Sequence, residues 1–159
     1  MDLILWRHAE AEDNASSDLA RPLTPRGERQ AERMANWLES QLGGLAERTN
    51  RWQVIASPAV RAQQTAAALG MPLDTVASIA PNATVQAVLR AAGWPDNGKN
   101  VIVVGHQPTL GMVAGQLING VEGYVSVKKG AVWWFRHRER DGESKAVLVA
   151  MASPDTVAE

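Results

Sequence analysis

The stretch VIVVGHQP at residues 101–108 decides the fold class of this chain. Its first four residues are all β-branched and apolar, as in a central strand of a parallel sheet, which is buried on both faces. Glycine, histidine and proline then end the strand and lead into a helical pattern that reaches about Asn119. A strand followed by a loop and a helix is the repeating unit of α/β proteins.

The same alternation extends over the rest of the sequence. Strands are predicted at residues 3–6, 53–56, 74–77, 101–104, 131–137 and 146–152. Helices are predicted at residues 25–42, 58–70, 83–92 and 109–119, the first of them opened by a Thr24 cap and Pro25. Asp141-Gly142 is a hairpin turn signal between the last two strands. We therefore expect one domain over residues 1–159, a three-layer α/β/α sandwich whose mostly parallel sheet carries an antiparallel edge strand or hairpin.

Composition excludes several kinds of chemistry. The 159 residues include no cysteine and three histidines, which rules out disulfides, thiolate metal sites and a cysteine nucleophile. The net charge of −1 does not suit a general nucleic-acid binder. No apolar run is long enough to span a membrane, and the first residues do not resemble a signal peptide. We expect a cytoplasmic monomer that uses no cofactor and no metal ion.

Cationic residues follow three of the predicted strands. Arg7 and His8 follow the first strand, Ser57 and Arg61 follow the second, and His106 follows the central one. Parallel strands place their carboxyl ends at one edge of the sheet, where ligands of such folds bind. Converging guanidinium groups repel each other unless a dianion lies between them, and arginine matches phosphate oxygens well. The pattern indicates a phosphoryl site in which an imidazole is the best available nucleophile.

Three motifs at these strand ends resemble those of the histidine phosphatase superfamily, which has the phosphoglycerate mutase-like fold. They are Arg7-His8-Ala9, Ser57-Pro58-x-x-Arg61-Ala62-x-Gln64-Thr65-Ala66 and Gly105-His106-x-Pro108. A further element, Arg21-Pro22-Leu23-Thr24-x-x-Gly27, is similar to one found in the branch of SixA-type phosphohistidine phosphatases. The resemblance extends from Asp2 to about Gly120.

The resemblance implies a mechanism and a set of site residues. His8 would attack phosphorus and become a phosphohistidine, while Arg7, Arg61 and His106 hold the phosphoryl oxygens. Water would then release phosphate from the enzyme. Further substrate or phosphate contacts are expected from Arg21, Ser57 and Gln107.

The chain departs from many superfamily members in lacking a glutamate that serves as general acid. The corresponding region, residues 78–84, contains no carboxylate, and Asp18 is a candidate substitute whose other interpretation is an ordinary loop aspartate. An ester needs an acid for its alkoxide leaving group, whereas a phosphohistidine has a labile P–N bond. The expected substrate is therefore a histidine-phosphorylated protein, such as a histidine phosphotransfer domain or a phosphocarrier. A phosphatase of small phosphate esters and a non-catalytic phosphoprotein-binding module remain alternatives.

Two further features receive structural interpretations. His137 lies among arginines near a strand end and is predicted to be an exposed edge residue. Gly111 and Gly115 are spaced four residues apart on one helix face, which favours close packing of that helix on the sheet.

Overall fold

A six-stranded sheet forms the centre of the computed structural model, which describes residues 1–158. The strands are β1 Asp2–Arg7, β2 Trp52–Ala56, β3 Leu73–Thr75, β4 Asn100–Gly105, β5 Val132–Arg140 and β6 Glu143–Ala152. The helices are α1 Pro25–Leu42, α2 Leu45–Arg51, α3 Val60–Ala67, α4 Val85–Ala92 and α5 Thr109–Asn119, with a short 3-10 helix at Ala77–Ile79. Within residues 1–158, no helix combines the length and apolarity needed to cross a membrane.

The strand order β3-β2-β4-β1-β5-β6 places the predicted motifs side by side. Strands β3, β2, β4 and β1 are parallel, with Ala56 opposite Val104 and Arg7 opposite Gly105. The antiparallel hairpin β5–β6 completes the sheet beside β1. The predicted fold class, a mostly parallel sheet with an antiparallel edge hairpin, is confirmed. The carboxyl ends of β1, β4 and β2 are therefore neighbours.

Apolar side chains cover both faces of the sheet. In β1, Ile4 and Trp6 point to one face, and Leu3 and Leu5 point to the other, as the alternation of a strand requires. The first face packs against α1 and α3 through a buried cluster that includes Met34, Leu38, Ala62 and Ala66. The second face packs against α4 and α5 through a cluster that includes Val88, Leu110, Val113 and Ala114. These two cores make the three layers and hold the strand ends rigidly in register.

Two helix predictions need correction. The predicted helix from residue 58 begins at Val60, because Ser57 and Pro58 form a turn in which the Ser57 hydroxyl accepts the Ala59 backbone N–H at 3.1 Å. Helix α2 was not predicted, because its sequence LAERTNR has no apolar periodicity. The Arg48 guanidinium donates to the Gly43 carbonyl at 3.0 Å, which ties α2 to the end of α1.

The predicted turns and glycine contacts have mixed outcomes. Asp141 and Gly142 have φ angles of 54° and 79°, as a two-residue hairpin turn of type I′ requires, so that prediction is confirmed. The predicted packing of Gly111 and Gly115 on the sheet is wrong. A Cβ at Gly111 would lie 2.0 Å from the carbonyl oxygen of Val125, so these glycines admit the α5–β5 connection, residues 120–131, against α5. That connection reaches the sheet edge that carries the motifs.

Candidate active site

A cavity of about 380 Å³ opens at the carboxyl ends of β1, β4 and β2. Every predicted site residue except Ser57 lines it. The lining residues are Arg7, His8, Ala11, Asp18, Arg21, Arg61, Pro81, Asn82, His106, Gln107 and Lys129. Residues far apart in sequence thus surround one space, because the parallel topology brings their strand ends together.

His8 follows β1 directly and is held by the backbone. Its N–H donates to the Gly105 carbonyl at 3.1 Å, and its ring Nδ1 lies 2.7 Å from the Ala9 carbonyl oxygen. A carbonyl oxygen can only accept, so Nδ1 carries the proton and Nε2 keeps a free lone pair in the neutral ring. Burial lowers the pKa of His8 to about 3, with the charges of His106, Arg61 and Arg7 acting in the same direction. The His8 imidazole is therefore neutral at neutral pH, with the lone pair of Nε2 free.

His106 faces His8 across the cavity. The ring centroids lie 5.2 Å apart with an angle of 55° between the planes. The His106 Nε2 atom forms a 2.7 Å hydrogen bond with the Ser57 hydroxyl, while its Nδ1 is buried without a protein partner among residues 1–158. Burial and then the charge of Arg61 lower the pKa of His106 to about 4. The second imidazole is thus also neutral, with one ring nitrogen whose hydrogen bonding is unsatisfied within the described chain.

Two buried guanidinium groups reach the cavity. Arg7, the last residue of β1, donates to the Val127 carbonyl at 2.8 Å. Arg61, in the first turn of α3, donates to the Asp18 carbonyl at 2.7 Å and to its carboxylate at 3.2 Å. The Nε atom of each arginine is buried and has no partner within the described chain. Since buried donors are normally satisfied, the arrangement fits an anion with several acceptor oxygens.

Asp18 is exposed at the cavity mouth and is held by two arginines. Its carboxylate accepts from Arg61 and, at 3.0 Å, from Arg21, whose Nε also donates to the Glu12 carbonyl. Burial acts to raise the pKa of Asp18, but the hydrogen bonds and charges of Arg61 and Arg21 outweigh it and hold that pKa below its usual value. The carboxyl group is therefore ionised at neutral pH and is a poor proton donor.

Ser57 and Gln107 occupy supporting positions. Ser57 is fully buried behind His106, outside the cavity. The Gln107 side chain lines the cavity, but its oxygen accepts the Gly111 N–H at 2.7 Å and its nitrogen donates to the Tyr124 hydroxyl at 3.1 Å. Ser57 therefore holds His106 in place, and Gln107 links the α5–β5 connection to α5.

Sequence reasoning missed two polar residues of the cavity wall, Asn82 and Lys129. The pair Pro81-Asn82 is a turn signal in the sequence, and Asn82 does adopt a turn conformation with a φ of 69°. Its position at the cavity was not readable. No local signal marks Lys129, because the α5–β5 connection carries it to the site through the contact between Arg7 and Val127. The region of residues 78–84 does reach the cavity, and it brings no carboxylate.

The third histidine, His137, lies outside the cavity. His137 is half-buried on β5, where its ring packs edge-on against Trp94 and bonds to Ser144, so the prediction of an exposed edge residue is wrong. In the part of the chain that the structure describes, no group of three or more histidine, cysteine or acidic side chains could hold a metal ion.

Comparison with known proteins agrees with this geometry. The family model of the histidine phosphatase superfamily (branch 1) matches residues 3–83. Phosphohistidine phosphatase SixA of Escherichia coli (strain K12) is 32% identical over 76% of this chain and 76% of its own length. The SixA homolog of Haemophilus influenzae is 29% identical over 97% of both chains. The structure of SixA complexed with tungstate superimposes with a TM-score of 0.80 at 26% identity, over 98% of each chain.

The chain belongs to the histidine phosphatase superfamily and is a phosphatase. Within that superfamily it is similar to the SixA-type branch over most of its length, as the motifs had indicated.

Proposed function

We propose that this phosphatase removes phosphate from a histidine-phosphorylated protein and that His8 is its nucleophile. The observation that carries the proposal is a neutral His8 with a free Nε2 in a cavity that contains two buried arginines and no available carboxylic acid. Such a site suits a substrate whose leaving group needs no acid from the enzyme.

In the first step, the phosphoryl group enters between Arg7, Arg61 and His106. Their N–H groups bind its oxygens, which offsets the charge of the transition state. His8 Nε2 donates its lone pair to phosphorus, a new P–N bond forms, and the P–N bond of the substrate breaks. The substrate reacts in the form whose second ring nitrogen has taken a proton from solvent, so the electrons of the broken bond return to the ring and the imidazole leaves neutral.

In the second step, water attacks the phosphoryl group on His8 from the face that the substrate has left. The P–N bond to His8 breaks, and its electrons restore the Nε2 lone pair. A water proton passes to the departing phosphate or to solvent. The proton stays on Nδ1, which donates a hydrogen bond to the Ala9 carbonyl throughout, so His8 returns to the tautomer in which it began.

Asp18 receives a positioning role in this proposal instead of the acid role considered from the sequence. Its carboxylate pairs with Arg61 and Arg21, which orients Arg61 toward the cavity. An acid must hold a proton at the working pH, and these two arginines favour the ionised form. Small phosphate esters, whose alkoxide leaving groups need protonation, would therefore be poor substrates.

The similarity to proteins named phosphohistidine phosphatase supports the same substrate class. Tungstate, which is bound in the related SixA structure, is a tetrahedral oxyanion like phosphate. The non-catalytic alternative does not account for the free Nε2 of His8 inside the cavity.

Phosphate release from a histidine-phosphorylated phosphocarrier tests the proposal. We expect turnover by the wild type, none by His8→Ala, and wild-type rates for His137→Ala, the matched control at a histidine outside the cavity. Faster hydrolysis of sugar phosphates than of phosphohistidine would overturn the substrate assignment. Unchanged turnover by His8→Ala would overturn the nucleophile. Binding of the phosphoprotein without turnover would favour the binding module.

A further inference from the structure

A second concave surface adjoins the catalytic cavity. This groove, of about 530 Å³, runs between the first turns of α4 and α5 and is closed at one end by Glu122 and Gly123. Met112 and Gln116 form its α5 side, and Gln86 lies on its α4 side. It is larger than the cavity and is not used by the chemistry proposed above.

The groove is almost free of charge, in contrast to the cavity. Glu122 is the single ionisable residue in its lining. Met112 is an exposed apolar side chain in its lining, with 39% of its surface accessible. An anionic group placed here would lose water against Met112 and meet the like charge of Glu122, and a cationic group would find an opposite charge only at Glu122. The surface therefore fits uncharged, partly apolar side chains, and methionine adapts well to such partners.

The groove and the cavity share a wall. Asn82 lines both, and Pro108, two residues after His106, lines the groove. On the same side, Gln107 lines the cavity and bonds to the exposed ring of Tyr124. A macromolecule that places a phosphorylated side chain in the cavity extends past its rim, and on the side of Asn82 and Pro108 its neighbouring surface meets the groove. A small phosphorylated molecule would end at the rim.

We propose that this groove between α4 and α5 is the docking surface for the phosphoprotein, and that it binds an uncharged, partly apolar strip beside the partner's phosphohistidine. The inference rests on the proposed function, because only a protein substrate extends past the cavity. The groove contributes binding energy from contacts away from the reacting phosphorus, so it acts on KM for protein substrates and leaves the chemical step to the cavity.

The test compares two substrates, a histidine-phosphorylated phosphocarrier and free phosphohistidine. Met112→Asp introduces a charge into the lining of the groove. We expect a rise of about tenfold in KM for the phosphoprotein, the size of effect found for an interface residue that contributes to binding, with kcat unchanged. Kinetics with free phosphohistidine should not change, which also shows that the variant is folded. Gln86→Asp should act in the same way from the α4 side.

Ile118→Asp is the matched control. Ile118 lies on the same helix with 47% of its surface exposed, but it does not line the groove. We expect this variant to match the wild type on both substrates. If Met112→Asp has no larger effect than Ile118→Asp, or slows both substrates equally, the docking proposal is wrong while the proposed function stands. If the wild type turns over neither substrate, the proposed function itself fails.

Discussion

Strand β1 has a charged residue at each end, and the two ends are built in opposite ways. At its start, the buried Asp2 carboxylate accepts two hydrogen bonds from Arg136, at 2.8 and 2.9 Å, and one from Trp134 at 2.9 Å. At its other end, Arg7 and His8 lie among further cationic side chains, and the Arg7 Nε has no partner in the described chain. The hydrogen bonds of the charged group are complete at the start of β1 and incomplete at its end.

The difference separates stabilising charge from functional charge. A buried carboxylate whose hydrogen bonds are complete supports the fold, because removal of a partner leaves an unpaired charge. A buried guanidinium with unused donors has lost its hydration without gaining a full set of hydrogen bonds. An anion that binds to it supplies the missing hydrogen bonds. Burial alone therefore does not mark a site, and neither does one unpaired donor, since the buried Arg48 Nε outside the cavity also lacks a partner in the described chain. At the cavity two such guanidinium groups lie together.

The largest expected effect comes from a change of Arg7, at the cavity end of β1. Arg7→Met keeps the aliphatic stem but removes the guanidinium. We expect kcat/KM for phosphohistidine to fall by between about a hundredfold and a thousandfold, the range found when a donor to transition-state charge is removed. The free energy of unfolding, measured with urea, should change little, because the lost hydrogen bond to the Val127 carbonyl is offset by the removal of a buried charge. Arg138→Met, at an exposed position on β5, is the control; loss of stability without loss of activity in Arg7→Met would contradict the assignment.

The two ends should lose stability in different pH ranges. His8 and His106 have folded pKa values of about 3 and about 4, below the ordinary 6.5. The unfolded chain thus binds more protons as the pH falls from 6.5 toward 4, and stability decreases by about 3 kcal/mol for each of the two histidines over that range. At Asp2, burial raises the pKa but the bonds from Arg136 and Trp134 outweigh it, so its contribution is lost only below about pH 4.

Urea unfolding between pH 3 and 8 measures both ranges. The double variant His8→Asn with His106→Asn should flatten the profile above about pH 4, whereas Asp2→Asn should flatten it only below that pH. A double variant whose profile follows that of the wild type would contradict the buried neutral state of the two imidazoles.

Asp2→Asn changes the charged residue at the start of β1, away from the cavity. The amide keeps one acceptor but loses the charge that faces Arg136, and we expect the free energy of unfolding to fall by about 2 kcal/mol. Activity at 25 °C should equal that of the wild type, because the site lies at the opposite end of β1. Glu143→Gln, which removes an exposed ion pair with Lys145, should leave both quantities unchanged. A loss of activity larger than the loss of folded protein would contradict this separation.

The smallest effect concerns two serines that each bond to a histidine Nε2. Ser57 holds His106 behind the cavity, and Ser144 bonds to His137 on the β5–β6 hairpin. Ser57→Ala should lower kcat about tenfold through a poorly oriented His106, and Ser57→Thr, which keeps the hydroxyl, should recover part of it. Ser144→Ala should have no effect on activity. Equal kcat values in the two alanine variants would remove Ser57 from the list of positioning residues.

Much of the fold was readable from local patterns. The apolar run at residues 101–104, the Thr24 cap and the Asp141-Gly142 turn each depend on neighbouring residues alone, and all three are present. Helix α2 was not readable, because its sequence has no apolar periodicity, and the contact from Arg48 to Gly43 ties it to the end of α1. The start of α3 was misplaced for a similar reason, since Ser57 bonds to His106 and takes part in a turn.

The sequence by itself determined which residues follow which strand. From this it followed that Arg7, His8, Arg61 and His106 belong to one edge of the sheet. Their chemistry and the absence of cysteine then pointed to phosphoryl transfer through an imidazole. Tertiary structure alone decided the protonation of the groups and the division of roles. Asp18 is ionised because two arginines hold it, Ser57 and Gln107 support the wall, and the α5–β5 connection brings Lys129 to the cavity. Hydrogen bonding and burial depend on distances in space, which spacing along the chain does not specify.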